Sequence, residues 1–266
     1  MHARSALFDL YGDHLLARGG SAPVAALIRI LEPLGINAPA VRTAVSRMVA
    51  QDWLTPLDQD GGAGYALTDR ARVRLDRAGA RIYRTGVEEW DGRWHLRVLA
   101  PIPDRSRRER VRNQLRFLGL APVSDSTWIS PRPSAEVDRL LADEDLDVVA
   151  LSTEDVGPTE HLLAAFDVAA LGAAYAAWTQ EAALLVGGAS AGRGVPDDRQ
   201  AFVVRSELLH SWRKFLFRDP GLPAALLAPD WPGHTAAAFF DEHGDRLLPA
   251  ASRFVDHCLN PPGETA

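Results

Sequence analysis

The sequence of 266 residues predicts an α+β protein built in three parts. We expect a winged helix-turn-helix domain at residues 1–86, a ferredoxin-like βαββαβ domain at 87–157 and an all-helical domain at 158–266. Three observations support this division. Three helical segments precede a glycine-rich hairpin, a strand and helix pattern of the order β-α-β-β-α-β follows, and the rest of the chain has helical periodicity only.

The first two helices are predicted at residues 5–16 and 21–31, where apolar residues recur with helical spacing. The glycine pair at 19–20 separates them, since glycine commonly ends a helix. Ser21 is the expected N-cap of the second helix, and Asn37 is the expected N-cap of a third.

The third helix, between Asn37 and Trp53, has two distinct faces. Its core stripe follows the spacing i, i+3, i+4, i+7 and i+8, and consists of Val41, Ala44, Val45, Met48 and Val49. The opposite side, here called the recognition face, consists of Arg42, Thr43, Ser46 and Arg47. Cationic and hydroxyl side chains can bond phosphates and base edges, so this face predicts DNA binding, with an ordinary solvated face as the alternative.

The hairpin after the third helix completes the element order of a winged helix, but its tip is acidic. The turn at residues 58–62 contains Asp58 and Asp60, whereas a wing that binds DNA normally carries Arg or Lys, because affinity comes largely from phosphate neutralisation. Either backbone N–H groups and Gln59 contact DNA here, or the wing does not touch it. A fourth, arginine-rich helix is expected to begin at Thr68, and solvated arginines are the favoured interpretation of it.

The middle domain is predicted from six segments in the β-α-β-β-α-β order. They are a strand at 94–100, a helix at 104–118, strands near 121–123 and 127–130, a helix at 134–142 and a strand at 148–151. The first of its helices places four arginines on one stripe, namely Arg105, Arg108, Arg112 and Arg116. That stripe is compatible with DNA, a partner subunit, an anionic ligand or solvent.

Charge is unevenly distributed along the chain. The net charge is −6, yet residues 1–116 hold 19 Lys and Arg against 13 Asp and Glu, while residues 117–266 hold 10 against 22. A cationic N-terminal part joined to an acidic C-terminal part is typical of a polyanion-binding domain coupled to another function.

Cysteine content and hydropathy indicate a protein of a reducing compartment, and we expect the cytoplasm. Cys258 is the single cysteine, so no intramolecular disulfide can form. The most apolar stretch, at 161–188, is interrupted by Asp167, Gln180 and Glu181, which favours a buried helix over a membrane span.

Several motifs together resemble the PaaX-type transcriptional regulators. In the C-terminal part these are His-Ser-Trp-Arg-Lys-Phe-Leu-Phe-Arg-Asp-Pro-Gly-Leu-Pro-Ala at 210–224 and Leu-Leu-Ala-Pro-Asp-Trp-Pro-Gly at 226–233. The segments at 10–13, 19–20, 27–31, 34–37, 41–47 and 90–94 also fit the family pattern. The resemblance extends from about residue 5 to about residue 254 and covers nearly the whole chain.

The resemblance implies a non-enzymatic repressor of bacterial aromatic-acid catabolism, without a cofactor. It implies a homodimer that binds a palindromic double-stranded DNA operator and is released by an aromatic acyl-CoA such as phenylacetyl-CoA. It also implies a Cas2-like, ferredoxin-like middle domain and a helical C-terminal domain, which would serve dimerisation and effector binding. Arg42, Thr43, Ser46 and Arg47 fall where the family reads DNA, in agreement with the recognition face.

Four residues are the candidates for binding an acyl-CoA effector: His210, Arg213, Lys214 and Trp231. Coenzyme A needs cations for its phosphates and an apolar slot for its acyl group. Arg213 and Lys214 supply adjacent cations, and Trp231 supplies aromatic surface. Trp212 shares a helical face with leucines and is favoured as a core residue.

Two other functions are compatible with the sequence. A metal-dependent nuclease could use Glu88, Glu89 and Asp91 at the start of the first middle-domain strand, although Asp91-Gly92 is better explained as a turn. No zinc-type ligand spacing is present, so we expect no metal. The sequence also has no Walker phosphate loop, and we expect no catalytic residue. Alternatively, a degenerate winged helix could bind a protein partner, and the acidic wing favours that hypothesis.

Overall fold

A computed structural model describes residues 1–59, 62–83, 90–154, 159–190 and 197–261. The chain forms two compact units. The first combines Met1–Gly86, Ala177–Leu216 and Thr235–Ala266, and the second combines Val87–Ala176 and Phe217–His234. The three predicted domains, 1–86, 87–157 and 158–266, stay a prediction; much of the C-terminal helical part packs with the N-terminal helices in the first unit.

The first helix, α1, spans Ala3–Leu10 and continues through a π-helical turn at Tyr11–Leu15 and a 3₁₀ turn at Leu16–Arg18. It ends at Gly19, whose φ of 86° lies in the left-handed region that glycine adopts without strain. The predicted helix at 5–16 is confirmed, although its last turns are not α-helical.

The second helix begins later than predicted. Ser21–Pro23 forms a short strand, β1, and Ser21 pairs with Ala66 instead of capping a helix. Helix α2 spans Val24–Leu31 and has Pro23 at its N-cap position. The prediction that Ser21 is the cap was wrong, because strand pairing takes that residue into a sheet.

Helix α3 spans Ala38–Ala50 and is followed by the predicted hairpin. Strands β2 at Leu54–Gln59 and β3 at Gly62–Leu67 pair antiparallel, and β1 adds to the other side of β3. Helix α4, at Asp69–Ile82, starts at Thr68, whose hydroxyl accepts a hydrogen bond from the backbone N–H of Ala71.

The C-terminal part is helical, as predicted. Its helices are α7 at Thr159–Ala164, α8 at Val168–Ser190, α9 at Asp198–Trp212 and α10 at Pro232–Leu259. Helices α7 and α8 occupy the stretch at 161–188 that is predicted as a single buried helix. Between them, Asp167 has a φ of 48°.

The core of the first unit is shared between its N-terminal and C-terminal helices. Leu7, Leu27 and Met48 are fully buried and belong to one cluster with Phe202 of α9 and Val255 of α10. Burial of large side chains stabilises a fold by roughly 1.5–3 kcal/mol each, so this shared cluster explains why the α9 and α10 segments belong to the N-terminal unit.

The second unit contains the predicted βαββαβ order. Its elements are β4 at Trp94–Leu99, α5 at Arg105–Phe117, β5 at Ala121–Pro122, β6 at Thr127–Ser130, α6 at Ala135–Asp143 and β7 at Val148–Thr153. The sheet is antiparallel with the order β5-β6-β4-β7. One face packs on α5 and α6 through Val111, Leu115 and Trp128, and the other face packs on the Leu162 region.

A buried ion pair joins the N-terminal and C-terminal helices of the first unit. Arg205 of α9 binds the carboxylate of Asp13 through two hydrogen bonds of 2.7 and 2.8 Å, and both side chains are only 5% exposed. Tyr83 donates a hydrogen bond of 2.6 Å to Asp13, and Arg205 also donates to the carbonyl oxygen of Gly244 in α10. Burial alone would raise the pKa of Asp13, but hydrogen bonds from Arg205 and its charge hold that pKa below the ordinary value.

We expect the substitution Asp13→Asn to lower the free energy of unfolding by about 3–5 kcal/mol, because it leaves Arg205 buried without a counter-charge. Chemical denaturation at neutral pH measures this loss. Since the pKa of Asp13 is lowered in the folded state, its stabilisation is present above the ordinary carboxylate range and is lost as the pH falls through the lowered value. The difference between wild type and variant should therefore shrink in acid.

The matched control is Asp198→Asn, which removes a carboxylate from an exposed pair with Arg253. Its effect should be much smaller, because solvent screens that pair. Equal losses for the two variants would contradict the proposed role of the Asp13–Arg205 pair.

Candidate functional site

Helix α3 has the core stripe that its sequence predicts. Val41, Ala44, Val45 and Met48 are buried, with Val49 partly buried beside them. The side chain of Asn37 accepts a hydrogen bond of 3.0 Å from the backbone N–H of Ala40 and caps the helix as predicted. Packing and cap together fix the rotation of α3 about its axis, and with it the direction in which its other side points.

The recognition face of α3 is exposed. All four of its side chains, Arg42, Thr43, Ser46 and Arg47, are open to solvent. The hydroxyl of Thr43 donates a hydrogen bond of 2.8 Å to the carbonyl oxygen of Pro39. Within the described ranges, neither Arg42 nor Arg47 forms an ion pair with a carboxylate, so both guanidinium groups retain donors for an external anion.

Several arginines of α4 have structural roles. Arg72 donates to the carbonyl oxygen of Gly19, and Arg74 lies over the ring of Trp53 at 5.4 Å from the ring centroid. Arg70 lies 3.8 Å from Asp52 in an exposed pair. These contacts tie α4 to the rest of the first unit.

Asp60 and the side chains of Asp58 and Gln59 lie outside the described residues. Contact between the wing and DNA therefore stays a prediction.

Two of the four predicted effector residues converge on an aspartate of α1. Nδ1 of His210 lies 3.0 Å from one carboxylate oxygen of Asp9, and Nε of Arg213 lies 2.7 Å from the other. The side chain of Asp9 is 7% exposed. Lys214 is exposed to solvent. In this structure His210 and Arg213 therefore already have an anionic partner within the protein.

Trp231, the fourth predicted effector residue, belongs to the second unit. Its indole packs edge-to-face on the ring of Tyr175, with 6.1 Å between ring centroids, and it fills the space beside Gly172 of α8. Trp231 is 9% exposed, so most of its aromatic surface contacts protein.

The sequence interpretation missed the buried charges Asp9, Asp13 and Arg205. A usable signal was present, because Asp9 and Asp13 lie among the apolar residues of the first predicted helix, where a carboxylate needs a partner. Their partners could not be identified in the same way, since Arg205 lies 192 positions from Asp13.

The alternative nuclease site has little support in the part of the chain that is described. A carboxylate oxygen of Asp91 accepts a hydrogen bond of 2.9 Å from the backbone N–H of Arg93, and Gly92 has a φ of 83°. Asp91 is therefore a turn residue, while Glu88 and Glu89 lie outside the described residues. Across the described ranges, no group of three or more His, Cys, Asp or Glu is placed to hold a metal ion.

Family models match most of the chain. A PaaX-like protein model matches residues 2–71, a PaaX protein central Cas2-like domain model matches 87–164, and a PaaX-like protein C-terminal domain model matches 166–257. The chain belongs to the PaaX family. The match to the central PaaX model confirms the predicted Cas2-like middle domain.

A curated relative and a solved structure agree with this family. The chain is 30% identical over 271 residues to the transcriptional repressor PaaX of Escherichia coli strain K12, covering 98% of this chain and 84% of that protein. The fold is similar to that of an uncharacterized protein from Mycobacterium tuberculosis, with a TM-score of 0.63 and 24% identity over 97% of this chain and 98% of that one. Among the described residues of this PaaX family member, no helix is long and apolar enough to cross a membrane.

Proposed function

We propose that this protein is a DNA-binding transcriptional regulator, and more specifically a repressor of an aromatic-acid catabolic operon. The observation that carries the proposal is the exposed recognition face of α3, whose arginines Arg42 and Arg47 have no carboxylate partner among the described residues. The relative from Escherichia coli is a transcriptional repressor, which supports a non-enzymatic regulator over a nuclease.

Arginine is well suited to both kinds of DNA contact. Its guanidinium group can bond the O6 and N7 atoms of guanine in a bidentate manner, which contributes roughly 1–3 kcal/mol of discrimination between bases. Bound to a phosphate, it contributes affinity without sequence information. The short hydroxyl side chains of Thr43 and Ser46 between the two arginines leave room for α3 to approach a major groove.

We expect Arg42→Ala and Arg47→Ala each to weaken binding to a duplex from upstream of the gene, by about 5-fold to 150-fold for a lost base contact. Electrophoretic mobility shift or fluorescence anisotropy, repeated over a salt series, measures both affinity and salt slope. A lost phosphate contact should also reduce the slope by about one.

Arg139→Ala is the control for the charge change, because Arg139 is exposed on α6 and bonds only within its own helix at Ala135 among the contacts described. Affinity retained by the α3 variants at moderate salt would refute the recognition face. Absence of DNA affinity at any salt would instead support a protein-interaction module.

We also propose that the protein acts as a homodimer, and strand β7 supports this. It lies at the edge of the second sheet, beside β4, and its sequence from Val148 to Thr153 has no charged residue. Val149 and Leu151 are 56% and 51% exposed. Uncharged, apolar edge strands pair readily with another chain, and a second copy is the partner that a palindromic operator requires.

The double substitution Val149→Lys with Leu151→Lys should convert a dimer into a monomer, because lysine on an edge strand disfavours pairing between chains. Sedimentation velocity or light scattering gives the molar mass. The control is Val123→Lys, which places one lysine, half of the added charge, at a residue of this unit that is 47% exposed. A double variant that remains as dimeric as wild type would exclude the β7 edge as the interface.

We further propose that an aromatic acyl-CoA such as phenylacetyl-CoA releases the protein from DNA. Arg213 and Lys214 provide positive charge for its phosphates, and His210 lies beside them. In the structure, His210 and Arg213 contact Asp9 of α1. A phosphate that replaced this carboxylate would loosen α1 from α9. Helix α1 also packs on α3. A ligand with different affinities for the protein with α1 held on α9 and with α1 loosened from it would therefore change how the α3 helices of a dimer fit an operator.

Phenylacetyl-CoA should raise the melting temperature more than free coenzyme A or phenylacetate does, since binding to the folded state stabilises it. Lys214→Gln should reduce that increase by removing a phosphate-binding charge. The same loss of charge at exposed Arg246, by Arg246→Gln, serves as the control. If the thioester stabilises the protein no more than its two components, the effector proposal fails.

A further inference from the structure

A cavity of about 410 Å³ lies in the second unit, where β4 leads into α5. We infer that this cavity binds a small monocarboxylate with an apolar body. Its walls include Leu99, Ile102, Val111 and Trp128, together with Arg108 and Arg112 of α5. The inference concerns the middle domain alone and does not depend on DNA binding or on the proposed acyl-CoA effector.

Four of the apolar residues that line the cavity are buried. Leu99, Ile102, Val111 and Trp128 are each less than 9% exposed and belong to one core cluster. A volume of this size falls in the range of small-ligand pockets, which are mostly apolar with a few polar groups that orient the ligand. The cavity exposes apolar as well as polar surface, so an aromatic or branched aliphatic group placed in it would add hydrophobic stabilisation to that of a bound carboxylate.

Arg108 is held in place at the wall of the cavity. Its Nη1 donates a hydrogen bond of 2.8 Å to the carbonyl oxygen of Ile102 and lies 3.4 Å from that of Pro103. Its Nε and Nη2 groups have no partner among the described residues. A guanidinium fixed by backbone carbonyls, with donors remaining, is a preorganised site for an anion.

Arg112, one turn further along α5, has a weakly held partner. Its Nη2 donates a hydrogen bond of 2.8 Å to the carboxylate of Asp125 and lies 3.3 Å from the backbone oxygen of that residue. The Asp125 side chain is fully exposed, and Glu109, 3.8 Å from Nη1 of Arg112, is 52% exposed. Solvent screens such pairs, so they contribute little, and a ligand carboxylate could take the place of Asp125.

The balance of charge favours a monoanion. Two arginines line the cavity, and the exposed acids Asp125 and Glu109 beside Arg112 reduce the positive charge there in part. A phosphate dianion would be repelled by both acids more strongly than a monoanion, and a neutral ligand would form weaker hydrogen bonds with the free donors of Arg108 than a carboxylate does. A single carboxylate can bond both arginines while its apolar part occupies the rest of the cavity.

The experiment is isothermal titration calorimetry of the full chain with benzoate, acetate, benzamide and inorganic phosphate. We expect benzoate to bind more tightly than the other three probes. Arg112→Gln should weaken benzoate binding about tenfold or more through the lost charge-assisted hydrogen bond. Asp125→Asn should strengthen it several-fold, because the competing carboxylate is gone.

Arg105→Gln is the matched control, since Arg105 is exposed on the same helix and outside the cavity wall, and it should leave benzoate affinity unchanged. Arg112→Gln should lower the affinity for benzoate and Asp125→Asn should raise it. Destabilisation of the fold would not raise the affinity, so the two variants together distinguish a binding role from destabilisation. Equal affinity for benzoate and benzamide, or for benzoate and phosphate, would overturn the inference. The inference would also be overturned if benzoate did not bind, or if the Asp125→Asn variant bound benzoate more weakly than wild type does.

Discussion

The ion pair between Asp13 and Arg205 is the interaction on which the first unit depends. The side chains of Asp13 and Arg205 are each 5% exposed, and a charged group buried to this degree needs an opposite charge beside it. The pair therefore requires contact between the first helical segment and α9. Tyr83 and Gly244 extend the network to the end of α4 and to α10. The N-terminal helices, including the one that carries the proposed DNA-binding surface, therefore belong to one packed unit with the C-terminal helices α9 and α10.

Helix α1 occupies a central position in this arrangement. It packs on α3 and also on α9, where Asp9 meets His210 and Arg213. The two acids of this stretch, Asp9 and Asp13, are both neutralised by side chains of the C-terminal part. An anion that competed for those cations would act on the helix that packs against α3, which would give a short physical route between the proposed effector and the proposed DNA-binding surface.

Local features of the sequence predicted much of this structure, while partners distant in sequence were not predictable. The core stripe of α3 and its cap at Asn37 depend on neighbours within a few positions, so periodicity and capping rules identified both. The βαββαβ order followed from alternation in the same way. The partner of Asp13 is 192 positions away, and Ser21 became a strand residue because β3 pairs with it. Periodicity gave the outward direction of Arg42 and Arg47, but no local rule says what an exposed arginine contacts.

The close fit of Trp231 beside Gly172 has an evolutionary consequence. A methyl group at position 172 would come within 2.8 Å of the indole ring, and Gly233 is crowded by the same ring from the other side. Neither glycine can gain a side chain while the indole stays, and a smaller residue at 231 would leave a void next to α8. Substitutions at positions 172, 231 and 233 should therefore be correlated among homologues. A residue larger than glycine at 172 or 233 should occur only in homologues that have replaced the tryptophan.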